Sequence, residues 1–276
     1  TNEDFDPELL TILNDLYQGK NLDSSQEFVD DDYARFVSQL VKGFQKNVLD
    51  FSSMHISMNV LTRLPKLLRV KHQLTKINLY DNMIMDSGLQ SLHQILLSNP
   101  QITSIDIGCN DLSDGSLLCI MEIIRDSHIN KLQLGYNQFT WQANHFSREG
   151  LSQIVSVIGE TNRLKCFGIR GAMSNQSKRQ PTEKPFSQYV SKLLREATKL
   201  STLDLSNLNF NDSDQTNLYN GFSQNRTLKY LNLTGNQFPQ GTFLIDGITR
   251  ISSLIYLNLN SCSISTPSCL VIASAL

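Results

Sequence analysis

A chain of 276 residues leaves room for one or two domains. Hydrophobic residues make up 40% of it, yet no apolar run approaches the ~18 residues of a membrane-spanning helix, which excludes that class. The net charge of −2 conceals an uneven distribution. Residues 1–32 carry ten acids and a single base, Lys20, whereas residues 163–199 carry nine bases against Glu183 and Glu196. Such polarity hints at an acidic partner for the basic middle rather than at any fold.

The N-terminus, TNEDFDPELL, is acidic and has no basic stretch before an apolar one, so no signal peptide is expected. Residues 7–17 read as a short helix with Pro7 in its first turn. Residues 30–44 read as an amphipathic helix whose apolar stripe is Tyr33, Phe36, Val37, Leu40, Val41 and Phe44. With a degenerate repeat between them, these helices predict an N-terminal cap over residues 1–45.

From residue 46 onward one pattern recurs. Leu74, Ile77, Leu79, Asn82 and Ile84 share a spacing with Ile102, Ile105, Ile107, Asn110 and Leu112, and with Ile129, Leu132, Leu134, Asn137 and Phe139. Leu228, Leu231, Leu233, Asn236 and Phe238 repeat it again. Alternation at Ile77 and Leu79 predicts a short strand with two inward apolar residues. The asparagine follows where the chain turns, placed to bond backbone groups that stacking would bury unpaired. Helices are predicted near 58–71, 87–97, 114–126 and 148–158. The helix at 58–71 contains Pro65, and a kink is expected there. Eight strands are predicted, centred on Leu49, Ile77, Ile105, Leu132, Phe167, Leu203, Leu231 and Leu257.

Most of these centres lie 26–28 residues apart, but Leu132 to Phe167 and Phe167 to Leu203 are longer, at 35 and 36. Two insertions account for the excess, around 139–150 and 173–186, and insertions in repeat proteins fall in loops that often lie on a binding face. The first carries Trp141, His145 and Phe146; the second is polar and basic. Ala172, Leu208 and Cys262 replace the asparagine in repeats five, six and eight, which predicts a looser turn in the middle of the stack.

This L-x-x-L-x-L-x-x-N-x-L motif, with its 26–28-residue spacing, resembles the ribonuclease-inhibitor-like class of leucine-rich repeat proteins, whose repeats run to about 27–29 residues. The resemblance covers residues 46–276 and implies an α/β leucine-rich repeat solenoid, a curved horseshoe with parallel strands concave and helices convex. It also implies a single elongated repeat domain of about eight repeats, the last incomplete at Leu276. Members of the class include an inhibitor of ribonucleases, nucleotide-sensing immune receptors, actin regulators and ciliary scaffold subunits.

No catalytic constellation is evident. The histidines, at 55, 72, 93, 128 and 145, fall in different repeats, none at ligand spacing from another, and there is no phosphate-binding glycine loop. Neither metal nor cofactor is expected. The five cysteines are scattered and odd in number, as expected of reduced thiols in a cytoplasmic protein. Four N-x-S/T triplets, at Asn175, Asn211, Asn225 and Asn232, are read as chance in an asparagine-rich chain. That richness has the flavour of a cytoskeletal or axonemal component.

Surface chemistry therefore carries the functional expectation: a non-enzymatic scaffold that binds another protein, one with an acidic segment. Tyrosine joins apolar area to a hydrogen-bonding tip and is enriched at interface hot spots. The outward rungs Tyr230/Asn232 and Tyr256/Asn258, with Tyr80, are the candidate contacts. Arg170, Lys178, Arg179 and Lys184 are the candidate basic contacts. Neither membrane nor nucleic acid is expected as partner, since the basic stretch lacks interleaved aromatics. The competing reading is a GTPase activator resembling those of Ran, but that family usually carries an acidic C-terminal tail, whereas here the acidic segment lies at the N-terminus.

Overall fold

The computed structural model describes residues 38–39, 47–56, 60–62, 64, 73–136, 142–174 and 184–275. The predicted cap therefore lies almost wholly outside the described residues, as do Asn137, Trp141, Lys178, Arg179 and most of the helix expected at 58–71.

Eight three-residue strands appear where the repeat spacing placed them: β1 Val48–Asp50, β2 Lys76–Asn78, β3 Ser104–Asp106, β4 Lys131–Gln133, β5 Cys166–Gly168, β6 Thr202–Asp204, β7 Tyr230–Asn232 and β8 Tyr256–Asn258. Helices alternate with them: α1 Met85–Ser98, α2 Leu117–Asp126, α3 Arg148–Thr161, α4 Phe186–Glu196, α5 Gln215–Phe222, α6 Thr242–Thr249 and α7 Thr266–Ala275. The chain divides into two compact units. One holds residues 1–129 with 140–143, the other 130–139 with 144–276.

In the first unit β1, β2 and β3 pair in parallel, with Leu49, Ile77 and Ile105 in register. In the second, β4 to β8 pair in parallel in chain order, with Leu132, Phe167, Leu203, Leu231 and Leu257 in register. These central residues are fully buried down to Leu231, and Leu79, Ile107, Leu134, Ile169, Leu205 and Leu233 form a second buried row. The helices close the other side with Leu89, Leu92, Ile120, Ile123, Ile154, Ile158, Val190, Leu194 and Leu218. This is the α/β architecture of a leucine-rich repeat solenoid, in which a single strand–turn–helix unit has an apolar side that only its neighbour can cover.

The asparagines serve as the sequence implied. Asn82 Oδ1 accepts from the amides of Met54 (3.1 Å) and Ile56 (2.8 Å), while its Nδ2 donates to the carbonyls of Phe51 and Leu79, both at 2.9 Å. Asn236 copies this arrangement on Leu208, Phe210, Leu205 and Leu233. Where the asparagine is replaced, other groups bond the turn. The Leu208 amide in repeat six is held by the asparagine of the next repeat. In repeat eight the buried Cys262 thiol donates to the Leu233 carbonyl at 3.1 Å, in the place of an amide N–H. Burial pushes that thiol's pKa up, in keeping with a donor that stays protonated.

The first insertion is largely structural. Asn144, 2% exposed, donates to the Leu134 carbonyl at 2.8 Å, the bond that Asn82 makes to Leu79. Phe146 is fully buried and bridges Met173 in parallel, its amide donating to Ala172 and its carbonyl accepting from Ser174. Phe146 therefore belongs to the core and cannot serve a partner. The second insertion delivers Phe186 to the core, where its ring stacks on Phe210 at 5.9 Å between centroids. All five cysteines are free thiols.

Leu205→Ala is expected to cost about 2–5 kcal/mol through lost burial and a cavity. Asn236→Ala is expected to cost at least about 1–3 kcal/mol, because buried backbone groups lose their partners. Denaturant midpoints at unchanged slope check both, and an unshifted midpoint would mean the residue is not where the stack places it.

Candidate functional site

On the strand face, three columns of side chains run across each unit. In the second unit the first column ends Thr202, Tyr230, Tyr256 and the second Asp204, Asn232, Asn258. Parallel pairing in register puts equivalent residues one strand spacing apart, so two tyrosines 26 residues apart in sequence become neighbours. The rings of Tyr230 and Tyr256 lie 6.3 Å apart, tilted by 36°, and are 46% and 52% exposed. Neither hydroxyl has a hydrogen bond among the described residues.

The second column is organised by its own backbone. Asp204 Oδ1 accepts from the Ser206 amide at 2.9 Å, and its Oδ2 accepts from Asn232 Nδ2 at 3.0 Å. Asn232 Oδ1 accepts from Thr234 and Asn258 Oδ1 from Asn260, each amide at 3.1 Å. These bonds fix each side chain over its own strand, and Asn258 Nδ2 has no acceptor among the described residues. By alternation within its strand Asp204 is simply an outward residue. Its place as the acceptor that orients Asn232 is visible only once the strands pair.

Beside Tyr256 opens an apolar pocket of about 530 Å³, lined by Ile245, Ile248, Ile251, Ile255, Leu257 and Ile272 among others. Ile255 is 69% exposed at its rim. Tyr256 lines the pocket as well, so one ring of the tyrosine pair borders the apolar opening.

The other candidates are dispersed. Arg170, half-buried, follows β5, and its Nε is buried without a hydrogen-bond partner. It sits level with Ser206 and Thr234, two strands and about 10 Å or more from the tyrosine rungs. Lys184 is exposed just before α4, while Lys192 and Arg195 point to solvent from that helix, and Lys192 approaches Glu196 at 3.9 Å. Tyr80 belongs to the first unit and is half-buried. Gly168, outward by alternation around Phe167, is buried beneath the Gln133 side chain; a Cβ there would meet Gln133 Oε1. Two of the glycosylation triplets are committed elsewhere: Asn225 is buried and donates to the Leu194 carbonyl at 2.7 Å, and Asn211 caps a helical turn in a reciprocal pair with Asp214.

In the first unit the equivalent column is Asp50, Asn78, Asp106. Asn78 Nδ2 donates to Asp50 Oδ1 at 2.9 Å, and Asp106 Oδ1 accepts from the Gly108 amide at 3.1 Å. Burial raises the pKa of Asp106 against the opposing pull of Gly108 and Lys76, with Asp50 adding a small upward push.

The leucine-rich repeat family profile matches residues 98–121 and 224–238. With the parallel strand ladders and the asparagine bonds, this marks the repeats as leucine-rich repeats and the fold as an α/β solenoid of them. Its fold is similar to that of the tropomodulin C-terminal domain of Caenorhabditis elegans: 14% identity, 60% of this chain and 89% of that one covered, TM-score 0.43. It is also similar to the leucine-rich repeat-containing protein LegL7 of Legionella pneumophila: 16% identity, 86% and 94% covered, TM-score 0.40. A third similar structure is leiomodin-1 actin-binding site 2: 17% identity, 68% and 88% covered, TM-score 0.33. No curated protein matches the chain. No described helix is long and apolar enough to cross a membrane.

Because the pKa of Asp106 is raised on folding, the native state binds this proton more tightly than the unfolded chain does. Stability therefore falls as pH climbs from the ordinary carboxylate range through the raised native value, and the loss is complete above it. Asp106→Asn keeps the acceptor for Gly108 and removes the buried charge. The variant is expected to melt higher than the parent at pH 7, with the gap closing as pH falls below the ordinary carboxylate range. Melting curves across that range check it; a variant that melts lower at pH 7 would contradict it.

Proposed function

We propose that the protein is a non-enzymatic scaffold whose strand face in the second unit binds another protein. The observation that carries this reading is the Tyr230–Tyr256 pair. Two large rings, about half exposed, stand side by side with unbonded hydroxyls next to an apolar opening. Leaving such rings in water forfeits the burial that aromatic anchors supply at protein interfaces. A partner fits this surface by placing an apolar side chain in the pocket and polar groups over Tyr230, Tyr256 and Asn258 Nδ2. Asn232 sits pre-oriented by Asp204, so little side-chain freedom is lost on binding.

We further propose that Lys184, with Lys178 and Arg179, meets an acidic segment of the same partner. Lys178, Arg179 and Lys184 lie within the second insertion and Arg170 just before it, in the middle of the basic stretch 163–199. Exposed charges of this kind raise encounter rate and selectivity more than affinity, and salt weakens them.

The test begins with capture of partners by the full chain, followed by affinity measurement with variants. Tyr230→Ala and Tyr256→Ala should each weaken binding by at least about 2 kcal/mol, roughly thirtyfold in Kd, with unchanged melting temperature. Lys192→Ala, on the helix side, should change nothing. Reversing Lys178, Arg179 and Lys184 to Glu should slow association and flatten its salt dependence. A partner indifferent to both tyrosines would sink the proposed face, and an unchanged salt dependence would remove the acidic contact.

A further inference from the structure

Helix α1 carries His93 and α2 carries Cys119, Glu122 and Asp126, all within the first unit. His93 is 5% exposed, and both of its ring nitrogens are buried without a hydrogen-bond partner among the described residues. A neutral imidazole has one N–H and one lone pair to satisfy, so a doubly orphaned ring in a helix interface needs an explanation. The groups around it supply one. Nδ1 faces Glu122 Oε2 at 3.6 Å, and on the opposite edge Nε2 faces Asp126 Oδ2 at 3.7 Å. The Cys119 sulfur completes a cluster in which one ligand atom each from His93, Cys119 and Glu122 lies within 4.8 Å of the others.

We infer that His93 Nδ1, Cys119 Sγ and Glu122 Oε2 form a binding site for a single zinc ion that clasps α1 to α2.

The spacing fits such an ion better than direct contact. At 3.6 Å nitrogen and oxygen are too far apart for a good hydrogen bond. Two ligands bonded at about 2.0–2.1 Å in tetrahedral geometry lie about 3.4 Å apart. One thiolate, one imidazole and one carboxylate make a mixed donor set of borderline softness, which suits zinc and not calcium or magnesium, whose sites are built from oxygen. Asp126 then has a distinct task. With Nδ1 on the metal, Nε2 carries the proton and faces Asp126 Oδ2 at 3.7 Å, a contact that must tighten by about half an ångström to become the carboxylate–histidine hydrogen bond that orients a zinc ligand and raises its basicity. Glu122 and Asp126 are 37% and 51% exposed, so solvent reaches the site and a water can fill the fourth position. Binding exchanges the Cys119 proton for the metal, so affinity rises with pH. Joining successive repeats at their helices would add to the nearest-neighbour coupling on which a solenoid depends.

The site escapes a motif search because its ligands come from two repeats. His93 lies 26 and 29 residues from Cys119 and Glu122, about one repeat, and stacking converts that separation into contact.

The experiment is calorimetric titration of the full chain with zinc alone, together with cobalt substitution followed in the near ultraviolet. One equivalent should bind, raise the melting temperature, and give with cobalt a thiolate charge-transfer band. Cys119→Ser should abolish that band and weaken zinc binding by more than tenfold. Asp126→Asn should keep the band and weaken binding by about 10–100-fold. Both replacements alter partly exposed side chains, and the metal-free variants should melt close to the metal-free parent. Cys269→Ser, at an exposed thiol, should change neither signal. Failure to bind zinc, binding indifferent to Cys119→Ser, or a band lost instead with Cys269→Ser would each overturn the assignment.

Discussion

Every repeat meets the same constraint. After each strand the chain must turn sharply beneath its neighbour, and the turn's amides and carbonyls become buried beyond the reach of water. The asparagine amide answers this with an acceptor and two donors in one short side chain. At Asn82 and Asn236 that side chain bonds the preceding repeat as well as its own, so it also sets the register between them. The requirement is for the bonds rather than for the residue type. Cys262 meets part of it with a thiol, and Asn144 reaches the Leu134 carbonyl from ten residues downstream.

Register at the turn is what makes the strand face chemically definite. A one-residue slip in a parallel pair would turn Tyr230 inward and Leu231 outward. With the register held, Tyr230 and Tyr256 stand side by side and Asp204, Asn232 and Asn258 form a row. In that row each Oδ1 is tied to the amide two residues on, so the side chains are fixed before any partner arrives. The first unit uses the same device at Asn78 and Asp106. The helix side obeys the same arithmetic: residues about one repeat apart meet, as His93 and Cys119 do at a candidate metal site.

Several features were legible in the sequence. The strand centres, the parallel order within each unit and the inward rows followed from a spacing of 26–28 residues with alternation around it. The exposed tyrosine rungs followed too, because an outward strand position is fixed by its parity. Less was legible where one residue's role depends on another repeat. The Asn144 bond could not be read, since Asn137 occupies the expected spacing and nothing local distinguishes the two. Phe146 looked like an available aromatic in a loop, and burial against Met173 and Ala172 removed it from the surface. Gly168 looked outward by parity and lies under Gln133.

The sequence by itself determined the repeat, its period and which side of each strand faces the core, because these depend on residues within a dozen positions of one another. The tertiary structure decided which side chains share a site. Stacking sets contacts between residues a full repeat apart, and small differences in repeat length decide whether such residues meet. Tyr230 meets Tyr256 and His93 meets Cys119 and Glu122 for that reason, whereas Arg170 and the tyrosine rungs are held apart by the strands between them.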